Sequence, residues 1–368
     1  MKFTRHCASL LMILMLSACG GGGGDGTGHG GDSGDGGSGP GPLSSCQASF
    51  STEKLAEGQD CTPIAGTLCP VDANANLLQS QPIACAGVDV QQYDLDAGGL
   101  SSNYYALTGA EQDYDAVYLA LHYLLVDKGA FANIVRLPEL AKGRKVLVIA
   151  PQAPKFLGAS RWPTGIALDN AQVAPTIEWL KAVVADARSR YHVKDSVPLY
   201  VAGLSNGSVI GYLYACTDPN VRAVLAVASD ADTKSFTDAC TTSHPLGSVI
   251  VHGTGDLTTP YNGFPLGLSL PIPAIHQTFN TLDGCNGADA TLQVPMSVDS
   301  IPVKIDYTAS GGCSSGHRNF LVTITGGGHN WPGQSRGLIT TQILYGNQTA
   351  NFDATLQGYD LLRLAAGD

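Results

Sequence analysis

The sequence predicts an α/β fold, a mostly parallel sheet flanked by helices. Three observations carry that expectation. From about residue 100, short β-rich apolar runs alternate with helical patterns, the order produced when crossover helices join parallel strands. Of the 368 residues, 44% are hydrophobic and 14% charged, which describes a chain able to bury a large core. The apolar run "VPLYVAG" (197–203) also passes into the helix-like "SVIGYLYAC" (208–216) through a turn flanked by glycines.

Taken in order, "AVYLALHY" (116–123) and "KVLVIAP" (145–151) read as buried strands, continuous apolar runs too short for helices. Residues 171–191 carry Val173, Ile177, Leu180, Val184 and Tyr191 at helical spacing, with Asp169 or Asn170 available as a cap. Further strands are expected at 197–203, 221–229, 247–253 and 319–327, with strand and helix alternating throughout. Residues 293–309 are either an edge hairpin or a loop, because Pro295 and Pro302 interrupt them.

The N-terminus reads differently. Lys2 and Arg5 precede a short apolar run that ends in Leu16-Ser17-Ala18-Cys19, the pattern of an export signal and too short to span a bilayer. That ending resembles the bacterial lipobox, which implies a signal peptide over 1–18 and a lipid on Cys19; an ordinary signal peptide cut nearby is the alternative. Gly20 does not resemble an inner-membrane retention signal, so an outer-membrane or surface-facing lipoprotein is expected, with a periplasmic or released form as the alternative. Residues 19–45 form a Gly/Ser/Asp-rich tether that cannot bury apolar surface, His29 included. Residues 46–99 are expected to be a Cys-rich extension packed on the main domain at 100–368. The net charge of −11 argues against nucleic acid, whose phosphates require clustered Lys and Arg.

Without Cys7 and Cys19, eight of the ten cysteines remain, an even number suited to disulfides in an exported protein. None has zinc-ligand spacing, and no metal is expected. Cys216 with Cys240 and Cys285 with Cys313 are the preferred pairs; Cys46, Cys61, Cys69 and Cys85 pair among themselves in an order left open.

Gly203-Leu204-Ser205-Asn206-Gly207 supplies the chemistry. A serine on so sharp a strand-to-helix turn is strained, glycines are wanted where side chains would collide, and the Asn206 N–H falls at a helix N-terminus where it can stabilise an oxyanion. A serine hydroxyl needs a base, and the base needs a carboxylate to hold its tautomer. Asp256 follows one strand and His329 follows the last long strand, both at the edge expected to carry Ser205. Asp230 is a rival for the acid. His252 is expected to cap or pack, His122 to arrange the oxyanion loop, and His192, His244, His276 and His317 to lie at the surface.

With those residues in view, the elbow together with "HGTGDLTTPYNG", "GGGHNWPG" and the Cys285/Cys313 pair resembles the polyhydroxybutyrate depolymerase and feruloyl esterase family of secreted α/β-hydrolases, over roughly residues 100–365. The tail 351–362 is similar to that family's closing helix. The resemblance implies Ser205 as nucleophile, Asp256 as acid, His329 as base, and ester hydrolysis without metal or cofactor. Its substrates would be polyester or its oligomers, or feruloyl and acetyl esters of plant polysaccharide. Two positions depart from the pattern. His122-Tyr123-Leu124 stands where the family has His-Gly, which shifts the second oxyanion donor to the N–H of Tyr123 or Leu124. Ser208 stands where a glycine is common. Trp162 and Trp331 are the expected substrate walls, and Tyr261 either joins them or holds its loop. A catalytically weak surface-binding protein on the same scaffold is the competing reading.

Overall fold

A computed structural model describes residues 46–48, 61–63, 69, 81–82, 84–110, 113–156, 159–164, 170–294, 296, 298–308, 312–334 and 346–368. The expectations for the signal peptide, Cys19 and the tether lie outside the described residues. The chain begins with a small antiparallel pair, β1 (Cys46–Ala48) and β2 (Cys61–Pro63). A hairpin follows, β3 (Asp89–Ala97) and β4 (Leu100–Thr108). Next come β5 (Ala116–Leu121), α1 (Lys128–Ile134), α2 (Leu137–Gly143) and β6 (Val146–Pro151). The two-residue strands β7 (Lys155–Phe156) and β8 (Ala159–Ser160) precede α3 (Asn170–Arg190). Then β9 (Leu199–Leu204), α4 (Asn206–Thr217), β10 (Val221–Val227), α5 (Thr233–Cys240) and β11 (Gly247–Gly253) alternate. The chain continues with α6 (Ile272–Leu282), β12 (Asp289–Val294), β13 (Val303–Thr308), β14 (Asn319–Ile324) and α7 (Leu356–Ala366).

Ten strands form one sheet in the order β12-β13-β14-β11-β10-β9-β5-β6-β4-β3. The six from β14 to β6 run parallel, and an antiparallel hairpin closes each edge. Burial follows from this layout. β5, β6, β9 and β11 are buried at every residue, as strands covered on both faces must be, whereas β12 at the edge alternates. Tyr118, Val148 and Leu225 face a core closed by α1, α2 and α7. Val117, Ile149 and Val201 face the other core, closed by α3 to α6.

Two differences from the sequence reading stand out. The sheet starts at Asp89 rather than near 100, so the end of the supposed extension is an edge strand of the main sheet. Strand and helix do not alternate throughout, because both edges are hairpins. Of the two readings of 293–309, the edge hairpin holds: Gln293 and Val294 end β12 and Val303–Thr308 form β13, with Pro302 outside the paired stretch. Among the described residues, disulfides join Cys216 to Cys240 and Cys285 to Cys313, as preferred, and also Cys69 to Cys85. These bridges suit an exported protein. Among the described residues no helix is long and apolar enough to cross a membrane.

Candidate active site

Ser205 sits between β9 and α4 at φ 53°, ψ −120°, a conformation that non-glycine residues adopt only when their surroundings impose it. The two flanking glycines permit it. A Cβ on Gly203 would stand 2.4 Å from the Gly207 carbonyl carbon, and one on Gly207 would stand 2.1 Å from the Leu121 oxygen. The turn is held from below by Val227 at the end of β10, whose carbonyl accepts the Ser205 N–H at 2.9 Å. The buried Ser208 hydroxyl lies 3.2 Å from that same oxygen and accepts the Val227 N–H at 3.1 Å. A glycine at 208 would leave the elbow without this tie.

The first N–H groups of a helix lack intrahelical partners, and Asn206 is the first residue of α4. Its side chain is turned away, accepting from Trp162 N–H at 2.9 Å and donating to the Trp162 carbonyl at 3.0 Å. Beside it runs the loop after β5. The His122 carbonyl accepts from Trp162 Nε1 at 2.9 Å and lies 2.6 Å from where a Cβ on Gly207 would be. It therefore faces the elbow, which turns the N–H of Tyr123, across the same trans peptide, away from it. His122 Nδ1 donates to the Tyr123 carbonyl at 2.8 Å, and its Nε2 accepts from Ala153 N–H at 2.9 Å. Burial pushes this imidazole down to about 4, so it serves as a neutral brace. No described group accepts from the N–H of Leu124.

Asp256 and His329 arrive on interlocked loops at the same edge of the sheet. Thr254 N–H donates to the Ile324 carbonyl at 3.0 Å and Gly255 N–H to the Gly327 carbonyl at 2.8 Å. Gly253 approaches so closely that a Cβ there would stand 2.2 Å from the Gly327 oxygen. The result is a direct bond, His329 Nδ1 to Asp256 Oδ2 at 2.8 Å. Asp256 Oδ1 also accepts the N–H groups of Thr258 and Thr259 at 2.8 and 2.9 Å, while the Thr259 hydroxyl reaches Oδ2 at 2.9 Å. Burial works to raise the Asp256 carboxyl, but the bonds from His252, His329 and Thr259 outweigh it and hold the group well below the usual carboxylate range. Asp256 therefore stays ionised beside the imidazole. His329 Nδ1 is thus held by Asp256 Oδ2 and lies 3.2 Å from the Thr259 hydroxyl.

The other candidates separate by burial. Asp230 is not a partner of His329: burial raises its carboxyl, and Ser269 binds it. Trp162 and Trp331, expected as substrate walls, are 0% and 1% exposed and present no face to solvent. Trp162 packs against the His122 ring with centroids 5.2 Å apart. Trp331 lies edge-on to Phe131, and its Nε1 donates to Thr355 Oγ1 at 2.9 Å, so it anchors the His329 loop to the start of α7. The sequence shows a tryptophan two residues past the histidine but not the helix that receives it. Tyr261 holds its loop through a 2.9 Å bond between its hydroxyl and that of Thr323. His276 is buried rather than superficial, and His317 is tied at 3.2 Å to the buried Asp283. Among the described residues no group of three or more His, Cys, Asp or Glu could hold a metal ion.

No family model matches the chain, and no curated protein matches it. Solved structures do. A cold-adapted esterase from an Arctic intertidal metagenomic library, in its zinc-bound form, aligns at 12% identity over 77% of this chain and 98% of its own, with a TM-score of 0.45. Acetyl xylan esterase from Aspergillus awamori aligns at 14% identity over 65% of this chain and 94% of its own, with a TM-score of 0.44. At such distance their activities remain theirs, but the strand order and the serine elbow of this chain are its own, and they give it the α/β-hydrolase fold.

Proposed function

We propose that the protein is a serine ester hydrolase whose substrate is an aliphatic polyester or its oligomers. What supports this reading is that a hydroxyl on a strained elbow and a carboxylate–imidazole pair bonded at 2.8 Å both follow the C-terminal ends of parallel strands in one sheet. Ser205 Oγ attacks the ester carbonyl while His329 Nε2 takes its proton, and Asp256 stabilises the resulting imidazolium. The oxyanion is held by the Asn206 N–H and, since the peptide directions in the loop after β5 disfavour Tyr123, by the Leu124 N–H. His329 then protonates the leaving alkoxide, and water admitted by the same base cleaves the acyl-enzyme.

The substrate class follows from the surface around this site. Leu124 and Leu125 follow β5, and Leu257, Phe264, Leu266 and Leu268 lie in the loop after β11; all are exposed, Leu257 at 92% and Leu266 at 97%. Met296 and Val298, also exposed, occupy the turn between β12 and β13, beside the end of β14. Every large apolar side chain exposed among the described residues thus belongs to a loop at the edge that carries Ser205. Such a patch fits an apolar partner. It suits the methylene and methyl groups of a hydroxyalkanoate chain better than a hydroxyl-rich feruloylated or acetylated polysaccharide. We further place the protein on the outer membrane or cell surface through lipidated Cys19, a placement that Cys19→Ser would abolish in fractionated cells.

Hydrolysis of p-nitrophenyl butyrate, hydroxybutyrate oligomers and feruloylated xylan by the protein and its Ser205→Ala variant tests the reading. Release from the first two substrates, lost in the variant, is expected. Equal background release by both proteins would instead leave a surface-binding protein on this scaffold.

A further inference from the structure

His252 is the last side chain of β11 before Gly253 and is buried, its imidazole wholly so. Its Nε2 lies 2.8 Å from the Thr259 carbonyl oxygen and 3.4 Å from Asp256 Oδ2. Both neighbours are acceptors, so Nε2 carries the proton and shares it between them, strongly with the carbonyl and weakly with the carboxylate. Its Nδ1 is buried without a hydrogen-bond partner, so the ring is oriented by Nε2 alone.

The ring has little freedom to do anything else. His252 pairs in register with Thr323 of β14. The Thr323 hydroxyl binds Tyr261, whose ring stands edge-on to the imidazole at 5.9 Å. The charged and titratable groups facing His252 are therefore Asp256 from its own loop, Asp230 from the end of β10, Tyr261 from the loop beyond, and His329 through Asp256.

We infer that His252 is a positioning residue for the candidate reaction: its Nε2–H closes the Asp256–Thr259 turn through the Thr259 carbonyl and, through the shared contact with Oδ2, fixes the carboxylate oxygen that receives His329. The inference rests on the role given to Asp256 above. The turn has no other described side-chain donor to that carbonyl. Thr259 itself supplies Asp256 with an amide and a hydroxyl, so a turn that loosens at Thr259 shifts two of the donors that aim the carboxylate.

The test uses the full chain and two substitutions. His252→Phe keeps a ring of similar bulk and removes the donor; His252→Gln restores an amide N–H near the place of Nε2. With p-nitrophenyl butyrate, His252→Phe is expected to lower kcat by about tenfold to a hundredfold with KM within twofold, the scale of a small misplacement at a reacting centre. His252→Gln is expected to recover most of that loss. In proton NMR, the low-field resonance of the His329 Nδ1–H bonded to Asp256 is expected to move in His252→Phe and return in His252→Gln. Unchanged kcat and an unmoved resonance in His252→Phe would overturn the inference. So would equal losses of kcat in both variants accompanied by equal losses of thermal stability, since the ring would then be only packing. Activity that survives Ser205→Ala would instead sink the hydrolase reading, and the NMR comparison would still decide what His252 does to the pair.

Discussion

Two glycines of α4 make opposite predictions from one measurement. Gly207 and Gly211 lie one helical turn apart, and both are buried. A methyl added at Gly207 would stand 2.1 Å from the Leu121 oxygen and 2.6 Å from the His122 oxygen. Both are backbone atoms of a strand end inside the sheet, so the helix rather than the strand must give way, and about an ångström of movement is needed to reach ordinary contact. Overpacking of this kind costs about 1–3 kcal/mol in stability. The same movement carries Ser205 and the Asn206 N–H with it, and a displacement of about 1 Å at a reacting centre costs on the order of a hundredfold in rate. A methyl at Gly211 would instead meet Val201 Cγ1 at 3.5 Å and Leu121 Cδ1 at 3.7 Å, which are normal packing distances. There the gain in helix propensity prevails, worth about 0.5–1 kcal/mol.

Urea unfolding followed by fluorescence, together with steady-state hydrolysis of p-nitrophenyl butyrate, reads both effects. Gly207→Ala should be less stable and should lose kcat, whereas Gly211→Ala should be slightly more stable and equally active. Wild-type stability and rate in Gly207→Ala would refute the claim that close backbone approach sets the elbow. Equal damage from both substitutions would refute it as well, because the two sites would then be ordinary helix glycines in a crowded core.

Stability should also fall on acidification below neutrality. Burial holds His122 and His276 at about 4 in the folded chain, against about 6.5 when unfolded. The unfolded state therefore binds more protons, so the stabilisation is complete above about pH 6.5 and is lost as pH falls towards 4, by up to about 3 kcal/mol per group. Denaturant midpoints between pH 7.5 and 4.5 check this, and His276→Gln should flatten part of the slope. Reducing the Cys216–Cys240 bridge, with its sequence separation of 24, should cost about 3.5 kcal/mol on the chain-entropy estimate, read as a lower urea midpoint in dithiothreitol. Thr355→Val removes the acceptor of the buried Trp331 Nε1–H and the donor to the Val135 carbonyl. It should cost about 1–3 kcal/mol for each group left unsatisfied, and it should lower kcat through the loosened His329 loop.

How much of this was legible in the sequence depends on how local each constraint is. The elbow was legible because strand, glycine, serine, glycine and helix are contiguous, and the steric need for both glycines acts over five residues. Asp256 and His329 were legible as residues just beyond strands, since parallel strands bring their C-terminal ends to one edge. The edge strand at 89–97 does not show in the sequence because exposed Gln91 and Gln92, which point to opposite faces, interrupt its alternation. The two tryptophans differ from expectation for another reason: nearness in sequence to a strand end or to His329 says nothing about which side of a loop faces the core. Trp162 is drawn inward by the His122 carbonyl and Trp331 by Thr355, partners 40 and 24 residues away. His252 reads as a capping or packing residue in the sequence because the carbonyl it meets lies seven residues on, a contact that no side-chain pattern reveals.

The two edges of the sheet differ in a way that bears on substrate choice. At the edge opposite the site, a cavity between α3 and the starts of β9 and β10 is lined by Lys181, Arg188, Asp195, Asp218, Arg222 and Asp368. Its charges are largely satisfied within the chain: Arg188 donates to the carbonyls of Lys194 and Val197, and Arg222 reaches the Ala366 carbonyl and Asp368. A surface that scattered apolar groups at random would place some leucines there too. Among the described residues, their confinement to loops at the end of the sheet that carries Ser205 means that the cost of hydrating them is borne where chemistry is proposed, and that cost falls when an apolar chain lies across the site. Interactions made with substrate far from the scissile bond can be used to orient the reacting ester. Short soluble esters that cannot reach Leu257 or Leu266 should therefore be turned over with lower kcat, and not only with higher KM, than oligomers long enough to cover the rim.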